Sequence, residues 1–465
     1  DPDRSLIQPG KPLRVQPVLM YRVAVPRDAT SWKSWGGVQT HEAAEEEARR
    51  IEAELATLAE RAEFAVEFLP VVSVTSEQAA AQIHRDDFDA LMVYPATGSG
   101  GMLRACLGNE KPGVIFVRHR SGPVYYWYEA LSTRYLDTGE PAPGSSEPTA
   151  AMVEDVVVDD YDEVLWRLRA LYGVRNFLGA RIVALGGPWG KHAPSAPEDA
   201  KTRFGLDIVD VSYETFQPRL ERALANAKLR AAADQWTDAY LALPGTTLDT
   251  KREYVVNCFV LYAAFRELME EHEATAFTIK NCMNTIIPMA QTTACLTLGL
   301  LNDEGLLAFC ESDFVIIPAG MLMRHICGAP VFLHNSTFPH NGVVTCAHCV
   351  GPRRMDGERY EPTRVLTHYE SEYGAAPKVE IPVGQEVTFI DPEYSTGRWL
   401  GFKGTVEDNP FLEICRSQQD VRIHGDWERL KKEVRDSHWI MVYGDYLREA
   451  GYAAKHIGIT WDSFA

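Results

Sequence analysis

The first part of the chain alternates between strand-like and helix-like hydrophobic patterns. Residues 15–25 form an apolar run typical of a strand, and the runs at 64–74, 88–94 and 113–117 indicate further strands. Between the first two runs, apolar residues recur at steps of three and four, as on an amphipathic helix: Ala44, Ala48, Ile51, Leu55, Leu58 and Ala62. This alternation predicts a parallel sheet with helices on both faces.

The middle of the chain repeats the alternation. Residues 180–187 form a strand that runs into a glycine turn, and 206–211 form another strand. Long helical patterns near 213–235 and 250–273 separate these strands from the one at 277–280. A second parallel α/β unit is therefore expected.

The last part of the chain has short alternating strands with turns, such as 377–383 and 386–390. This pattern is typical of a β-rich barrel or sandwich. We therefore predict an α/β protein with two doubly wound parallel-sheet (Rossmann-like) domains, at 1–165 and 166–342. A barrel-like β-rich C-terminal domain at 343–465 is expected to follow them.

Composition and charge narrow the choice of ligand. The chain has 465 residues, a net charge of −19 and no run rich in lysine and arginine. Nucleic-acid binding normally needs a basic patch, so no nucleic-acid partner is expected and a neutral or small ligand is favoured.

Other bulk features concern the environment of the protein. No apolar run approaches the ~20 residues of a membrane span, so we expect a soluble protein without a membrane partner. Most of the nine cysteines lie in apolar runs, where buried free thiols are expected rather than a disulfide scaffold. Nothing inside the chain identifies the compartment, and we expect the cytoplasm rather than export.

Potential ligands follow three consecutive apolar strands. Glu311 and Asp313 end the run at 306–314, Asn335 ends the next strand, and His348 ends the third. Burying an ionised carboxylate costs several kcal/mol unless a metal or hydrogen bonds compensate it. Acids at the carboxyl end of a buried strand therefore predict a functional site. Glu311 belongs to the predicted central domain, 166–342.

These segments, with their order and spacing, resemble the L-fucose isomerase / L-arabinose isomerase superfamily, in particular its shorter, fucose-isomerase-like members. The resemblance covers roughly residues 276–465, whereas the first half matches only in architecture. The segments that carry it are Leu300–Asp313, Gly328–Asn335, Ala347–Pro352, Thr367–His368 and His438–Asp445.

The resemblance implies a divalent cation, typically Mn²⁺, held by Glu311, Asn335, His348 and His438. It also implies aldose–ketose isomerisation through an enediol, with a carbohydrate as the substrate. Family members assemble so that the N-terminal domain of one subunit helps close the pocket of another, which implies a homo-oligomer.

The chain departs from the family at Asn335, where the second carboxylate is expected. Asparagine can ligate through its carbonyl oxygen, but it adds no charge and cannot act as a base. Glu311 fits the role of catalytic base. Asp313 is expected to replace the lost acid only if the chain turns after Glu311; Lys280 and a metal-bound water are the other candidates.

Three further residues are candidates for the pocket. Lys280 ends the strand at 277–280, where a lysine could stabilise a sugar oxyanion, and Trp189 lies in the glycine turn at 186–192, where it could stack on a sugar ring. His368 lies where the family also has a histidine. Each has an ordinary alternative: a solvated loop residue for Lys280, and packing for Trp189 and His368.

The sequence Cys346-Ala-His348-Cys349 also suggests structural zinc. Such a site normally needs a second ligand pair at matching spacing, and the sequence shows none. A buried strand whose histidine faces a pocket is the preferred interpretation.

The leading functional hypothesis is a metal-dependent aldose–ketose isomerase. Asn335 keeps open a different metal-assisted sugar enzyme on the same scaffold, such as a lyase, epimerase or hydrolase. A non-catalytic sugar-binding protein is the third hypothesis.

Overall fold

The computed structural model describes residues 5–85, 87–108, 110–131, 135–136, 151–434 and 436–464. The chain forms two compact units. The N-terminal unit is Lys11–Arg175, and the main unit joins the segment ending at Gly10 to the chain from Asn176 onward.

The N-terminal unit contains a parallel sheet in the order β2-β1-β4-β5-β6, with β3 also paired to β1. The predicted helical stripe is buried at Ala44, Ile51, Leu55 and Leu58, and the Thr40 side chain caps the helix by accepting from the Ala43 N–H. The elements are β1 Leu13–Met20, α1 His41–Arg61, β2 Val66–Phe68, β3 Val72–Val74, α2 Glu77–Ile83, β4 Ala90–Pro95, α3 Gly100–Leu107, β5 Gly113–Val117, α4 Trp127–Ala130, a 3₁₀ turn Val153–Asp155, β6 Val156–Val158 and α5 Tyr161–Phe177, which runs into the main unit.

The main unit begins with a second parallel sheet, in the order β11-β10-β7-β8. Its elements are β7 Arg181–Leu185, α6 Ala196–Phe204, β8 Asp207–Val211, α7 Tyr213–Ala225, α8 Ala227–Leu241, β9 Thr246–Leu248, α9 Arg252–Glu271, β10 Ala276–Ile279, α10 Cys282–Ala290, α11 Cys295–Asp303, β11 Leu307–Phe309 and α12 Ile317–Cys327. The strands pair in parallel, so their carboxyl ends meet at one edge, where Lys280 and Glu311 follow β10 and β11.

The rest of the main unit is rich in strands. They are β12 Phe332–Ser336, β13 Val343–His348, β14 Thr363–Leu366, β15 Ala376–Val379, β16 Glu386–Pro392, β17 Trp399–Asp408, β18 Ser417–Ile423, β19 His438–Tyr443 and β20 Trp461–Phe464, with helices α13 Trp427–Glu433 and α14 Leu447–His456.

Six of the described strands close into an antiparallel barrel in the order β16-β19-β12-β13-β18-β17, and pairing between β16 and β17 completes the ring. Buried apolar side chains fill its interior, among them Phe332, Phe389, Phe402, Trp439 and Met441. The predictions of parallel α/β layers and of a barrel near the C-terminus are confirmed.

Strand β9 pairs in parallel with β14, so the parts predicted as 166–342 and 343–465 share a three-stranded sheet. Both lie in one compact unit. The three-part domain division stays a prediction.

Within the described ranges, no helix has both the length and the apolar character needed to cross a membrane. All nine cysteines of the chain are described, and all are free thiols.

Candidate active site

The chain turns sharply after β11. Glu311 and Ser312 have φ angles of 66° and 55°, in the left-handed region that side chains with a Cβ disfavour. Such a residue costs on the order of 1 kcal/mol or more and persists only where its surroundings hold it. Contacts with other parts of the chain, rather than the local backbone preference of these two residues, must therefore hold the turn.

The loop after β7 holds the turn in place. The backbone N–H of Trp189 donates to the Ser312 carbonyl at 3.2 Å, and the Phe314 N–H donates to the Trp189 carbonyl at 2.9 Å. The Trp189 indole N–H donates to the Glu311 carbonyl. These bonds satisfy backbone groups of Glu311, Ser312 and Phe314 and fix where the Glu311 side chain begins.

Both carboxylates of this segment contact one imidazole. His438 Nε2 lies 3.3 Å from Glu311 Oε2, and His438 Nδ1 donates to Asp313 Oδ2 at 2.7 Å. His438 and Asp313 are fully buried, whereas 39% of the Glu311 side chain is exposed. The buried Asp313–His438 pair thus contacts the Glu311 carboxylate, which remains accessible to a ligand.

The electrostatics of this group follow from the pairing. Burial alone would lower the pKa of His438, but the hydrogen bond to Asp313 and the contact with Glu311 raise it to about 9. Burial alone would raise the pKa of Glu311, but His348 and His438 hold it well below its usual range. Glu311 is ionised and His438 is protonated at neutral pH in this arrangement.

His348 is a hydrogen-bond donor toward the same site. Its Nδ1 accepts from the backbone N–H of Cys349 at 2.9 Å, so the proton of the neutral imidazole resides on Nε2. Nε2 lies 3.6 Å from Glu311 Oε1 and is buried without a hydrogen-bond partner among the described residues. A buried orphan N–H of this kind is costly unless a ligand or water accepts from it.

Asp313 is held from several directions. Its Oδ1 accepts from the backbone N–H groups of Lys191, at 2.9 Å, and of Val315, at 3.1 Å. Its Oδ2 accepts the hydrogen bond from His438 Nδ1. With both oxygens engaged, Asp313 is placed to orient His438 and has little capacity left for a ligand.

Asn335 reaches the site by strand register. It lies directly opposite His438 in the pairing of β12 with β19, and directly opposed residues of antiparallel strands share a face of the sheet. Asn335 is half-buried. Its amide is therefore on the same face as the histidine that contacts both acids.

Two lysines flank the cluster. Lys280 Nζ lies 5.7 Å from the centre of the Trp189 ring. Lys191 Nζ donates to Ser437 Oγ at 2.8 Å and lies 3.4 Å from His438 Nε2. Sequence reasoning named Lys280 and missed Lys191, although the same signal, a glycine turn at the carboxyl end of β7, was available for both Trp189 and Lys191.

His368 belongs to a different group. The thiols of Cys295 and Cys349 and a ring nitrogen of His368 lie within 4.8 Å of one another, and all three residues are buried. Burial lowers the pKa of His368. Cys349 follows His348 directly, so this group adjoins the cluster of Glu311, Asp313, His348 and His438, which we call the carboxylate–histidine cluster.

A separate cavity of about 450 Å³ lies elsewhere in the main unit, with aromatic walls that include Trp236, Phe259 and Tyr360. Its lining acids are Asp303 and Glu304. Burial raises the pKa of Asp303 to about 6 against hydrogen bonds from the backbone of Arg354 and Arg353. This cavity has no histidine among its lining residues. The carboxylate–histidine cluster is the better candidate for chemistry.

Comparison with known proteins gives no assignment: no protein-family model matches the chain, and no curated protein matches it significantly in sequence.

Proposed function

We propose that the protein is a metal-dependent aldose–ketose isomerase that acts on a small carbohydrate by an enediol route. One observation supports this most: a single buried imidazole, His438, contacts the carboxylates of both Glu311 and Asp313. The resemblance of the segments around these residues to the fucose and arabinose isomerases points to the same chemistry.

The donor set fits a hard divalent cation in part. Glu311, the side-chain carbonyl of Asn335 and, once His438 has lost a proton, its Nε2 offer oxygen and imidazole ligands, which suit Mn²⁺ or Mg²⁺. Asp313 on His438 Nδ1 is the kind of carboxylate partner that orients a metal-binding histidine. His348 fits less well as a ligand, because the Cys349 N–H keeps the proton on its Nε2.

A cation bound there would stabilise negative charge on the oxygens of an enediolate. Glu311 would take the proton from the carbon next to the carbonyl, because it is ionised and exposed to a ligand. His348 would donate from Nε2 to a substrate oxygen. Asp313 would act through His438 as a positioning residue, which leaves His348 rather than Asp313 as the substitute for the acid lost at Asn335.

Lys280 and Trp189 complete the proposed pocket. The Lys280 ammonium lies beside the Trp189 ring, and the Trp189 indole N–H is already used by the Glu311 carbonyl. Lys280 would therefore bind a substrate hydroxyl or oxyanion, while Trp189 would offer only its ring face. His368 lies among thiols and is a substrate contact only if the pocket extends past Cys349.

A second function is favoured by Lys191. Its ammonium lies 3.4 Å from His438 Nε2, the nitrogen that would bind a metal cation. The positive charges of Lys191 and of the cation would repel each other there. This placement favours a sugar enzyme that needs no metal, such as an epimerase or lyase, or a sugar-binding protein.

Proton NMR in D₂O separates these functions. The purified protein is incubated with a panel of pentoses, hexoses and deoxyhexoses, with added Mn²⁺ or with a chelator. An isomerase gives a ketose product or exchanges the proton next to the carbonyl, and the chelator stops it. Turnover that survives the chelator supports the metal-free enzyme, and ligand line-broadening without turnover supports a binding protein.

We also propose, from the resemblance, that the protein is a homo-oligomer. We further propose that it is cytoplasmic and, from the alternating strand and helix patterns, that its two parallel sheets are doubly wound, Rossmann-like layers. Light scattering at micromolar concentration tests the oligomer. A monomer would contradict it.

A further inference from the structure

A group of two thiols and one imidazole lies next to the carboxylate–histidine cluster, and three separate segments contribute to it. Cys295 begins α11, Cys349 follows β13, and His368 lies two residues beyond β14. Their ligand atoms are mutually within 4.8 Å, and all three side chains are buried. Free cysteines are often buried singly as small apolar residues, but two thiols and an imidazole converging at one point are not explained by packing alone.

A third thiol joins this group. The thiols of Cys295 and Cys415 both raise the pKa of Cys349, which places Cys415 beside Cys349 as well. Cys415 comes from the loop before β18 and is half-buried. Three thiols and one imidazole are therefore collected around Cys349, and we call Cys295, Cys349, Cys415 and His368 the thiol cluster.

We propose that the thiol cluster binds one thiophilic divalent cation of the Zn²⁺ type in a closed, tetrahedral Cys₃His site. Such sites have metal–sulfur bonds of about 2.3 Å and four protein ligands, so ligand atoms lie roughly 3.5–3.8 Å apart. The ligand atoms of Cys295, Cys349 and His368, already within 4.8 Å of one another, need only small inward shifts to reach that geometry, and Cys415 would complete the site from the side of Cys349.

The histidine is prepared for this role. His368 Nδ1 lies 3.4 Å from Ser371 Oγ, which can accept the Nδ1 proton and leave Nε2 as the metal ligand. The backbone N–H of His368 also donates to the Tyr373 carbonyl at 2.9 Å, which fixes the loop that carries the ring. An oriented imidazole beside three thiols is a soft donor set, which selects zinc over manganese or magnesium.

The proposal revises the sequence interpretation of Cys346–Cys349. Cys346 pairs with Gln419 across the barrel and belongs to its apolar core, so it is not a ligand. The partners of Cys349 come from positions 295, 368 and 415, at spacings that no local motif contains. A search for a second Cys-x-x-Cys pair could not find them.

The site would be structural. It would tie α11 to the ends of three strands and fix Cys349, whose backbone N–H donates to His348 Nδ1 and so keeps the proton of that imidazole on Nε2. The thiol cluster is distinct from the carboxylate–histidine cluster in every ligand, so each can be tested without the other.

The test uses the full-length reduced protein and Co²⁺ as a spectroscopic substitute for Zn²⁺. One equivalent of Co²⁺ should give thiolate charge-transfer absorption in the near ultraviolet and the visible bands of tetrahedral cobalt, and Zn²⁺ should displace them. Cys349→Ala should abolish the charge-transfer absorption, and His368→Ala should weaken the visible bands. Cys346→Ala is the matched control, a buried thiol of β13, the strand that Cys349 follows, and should leave both unchanged.

Two controls keep the result interpretable. Glu311→Gln should retain the cobalt spectrum, which separates the thiol cluster from the proposed isomerase site. If Cys349→Ala fails to fold by circular dichroism, Cys295→Ser replaces it, with the same expected loss.

Specific outcomes overturn the proposal. Absence of thiolate charge transfer in the reduced wild-type protein does so, as does an unchanged spectrum in folded Cys349→Ala. A Cys349–Cys415 disulfide, found by peptide mass mapping of metal-free protein purified without reductant, would make the cluster a redox pair instead.

Discussion

The two adjoining clusters of the main unit are built from opposite chemistry. The carboxylate–histidine cluster brings Glu311 and Asp313 to His438, with one carboxylate partly open to solvent. The thiol cluster surrounds Cys349 with soft ligands and is largely closed. Open oxygen sites suit substrates and closed sulfur sites suit structural ions, so the contrast is between the proposed reactive site and the proposed structural site of one fold.

The largest expected effect is a loss of turnover at the carboxylate–histidine cluster. Glu311→Gln removes the proposed base and should reduce turnover by about 10²–10⁴-fold while Tm changes little, because the side chain is partly exposed. The measurement is the NMR exchange rate on the active sugar. Glu407→Gln, an exposed carboxylate paired with Arg422, is the control and should be silent. Equal rates in the Glu311→Gln variant and wild type would remove the isomerase proposal.

The second prediction concerns pH and the metal-free protein. The folded-state pKa of His438 is raised from its ordinary 6.5 to about 9, so its pairing stabilises the fold fully below about pH 6.5 and is lost as pH rises through 9. At about 1.4 kcal/mol per pKa unit the loss is on the order of 3 kcal/mol. Urea unfolding at several pH values measures it, and in His438→Gln the dependence over this range should disappear. A wild-type free energy of unfolding that is flat between pH 6.5 and 9 would contradict the pairing.

Asp313→Asn tests whether Asp313 positions His438 or reacts itself. Loss of a carboxylate that orients a ligand typically costs about 10–100-fold in metal affinity or activity. We expect a lower kcat, weaker Mn²⁺ binding and a lower His438 pKa by NMR, whereas a purely structural role would change Tm alone. The thiol cluster should keep its cobalt spectrum in this variant.

The smallest effect sharpens the contrast in metal preference. Asn335→Asp adds a charged oxygen opposite His438 and should tighten Mn²⁺ binding by roughly tenfold, since it restores a second carboxylate to a hard-ligand set. Calorimetric titration measures this. Zn²⁺ affinity at the thiol cluster should not change, and a parallel gain there would mean that the two clusters share a cation.

Sequence patterns predicted the parts of the molecule that depend on hydrophobic periodicity. The parallel layers, the barrel and the acids at the end of β11 all follow from apolar runs and what ends them. The turn at Glu311 and Ser312 could be named only as a condition for the role of Asp313, because glutamate and serine carry no local signal for left-handed backbone. Its cause is Trp189, far away in sequence.

Long-range contacts explain the other omissions. Lys191 acquires its role only when the β7 loop meets Ser437 and His438. The ligands of the thiol cluster come from distant segments, and β9 joins β14 across the predicted domain boundary. Side-chain type and spacing along the chain contain none of this information.

The long reach of these contacts has a consequence for folding. The His438–Asp313 hydrogen bond joins residues 125 positions apart, and the Trp189–Glu311 bond spans 122. Folding slows as native contacts become less local, so β19 pairing and barrel closure are expected late, after the parallel layers have formed. The carboxylate–histidine cluster comes into existence with that last step. A ligand that binds it would therefore slow unfolding and leave the folding rate almost unchanged.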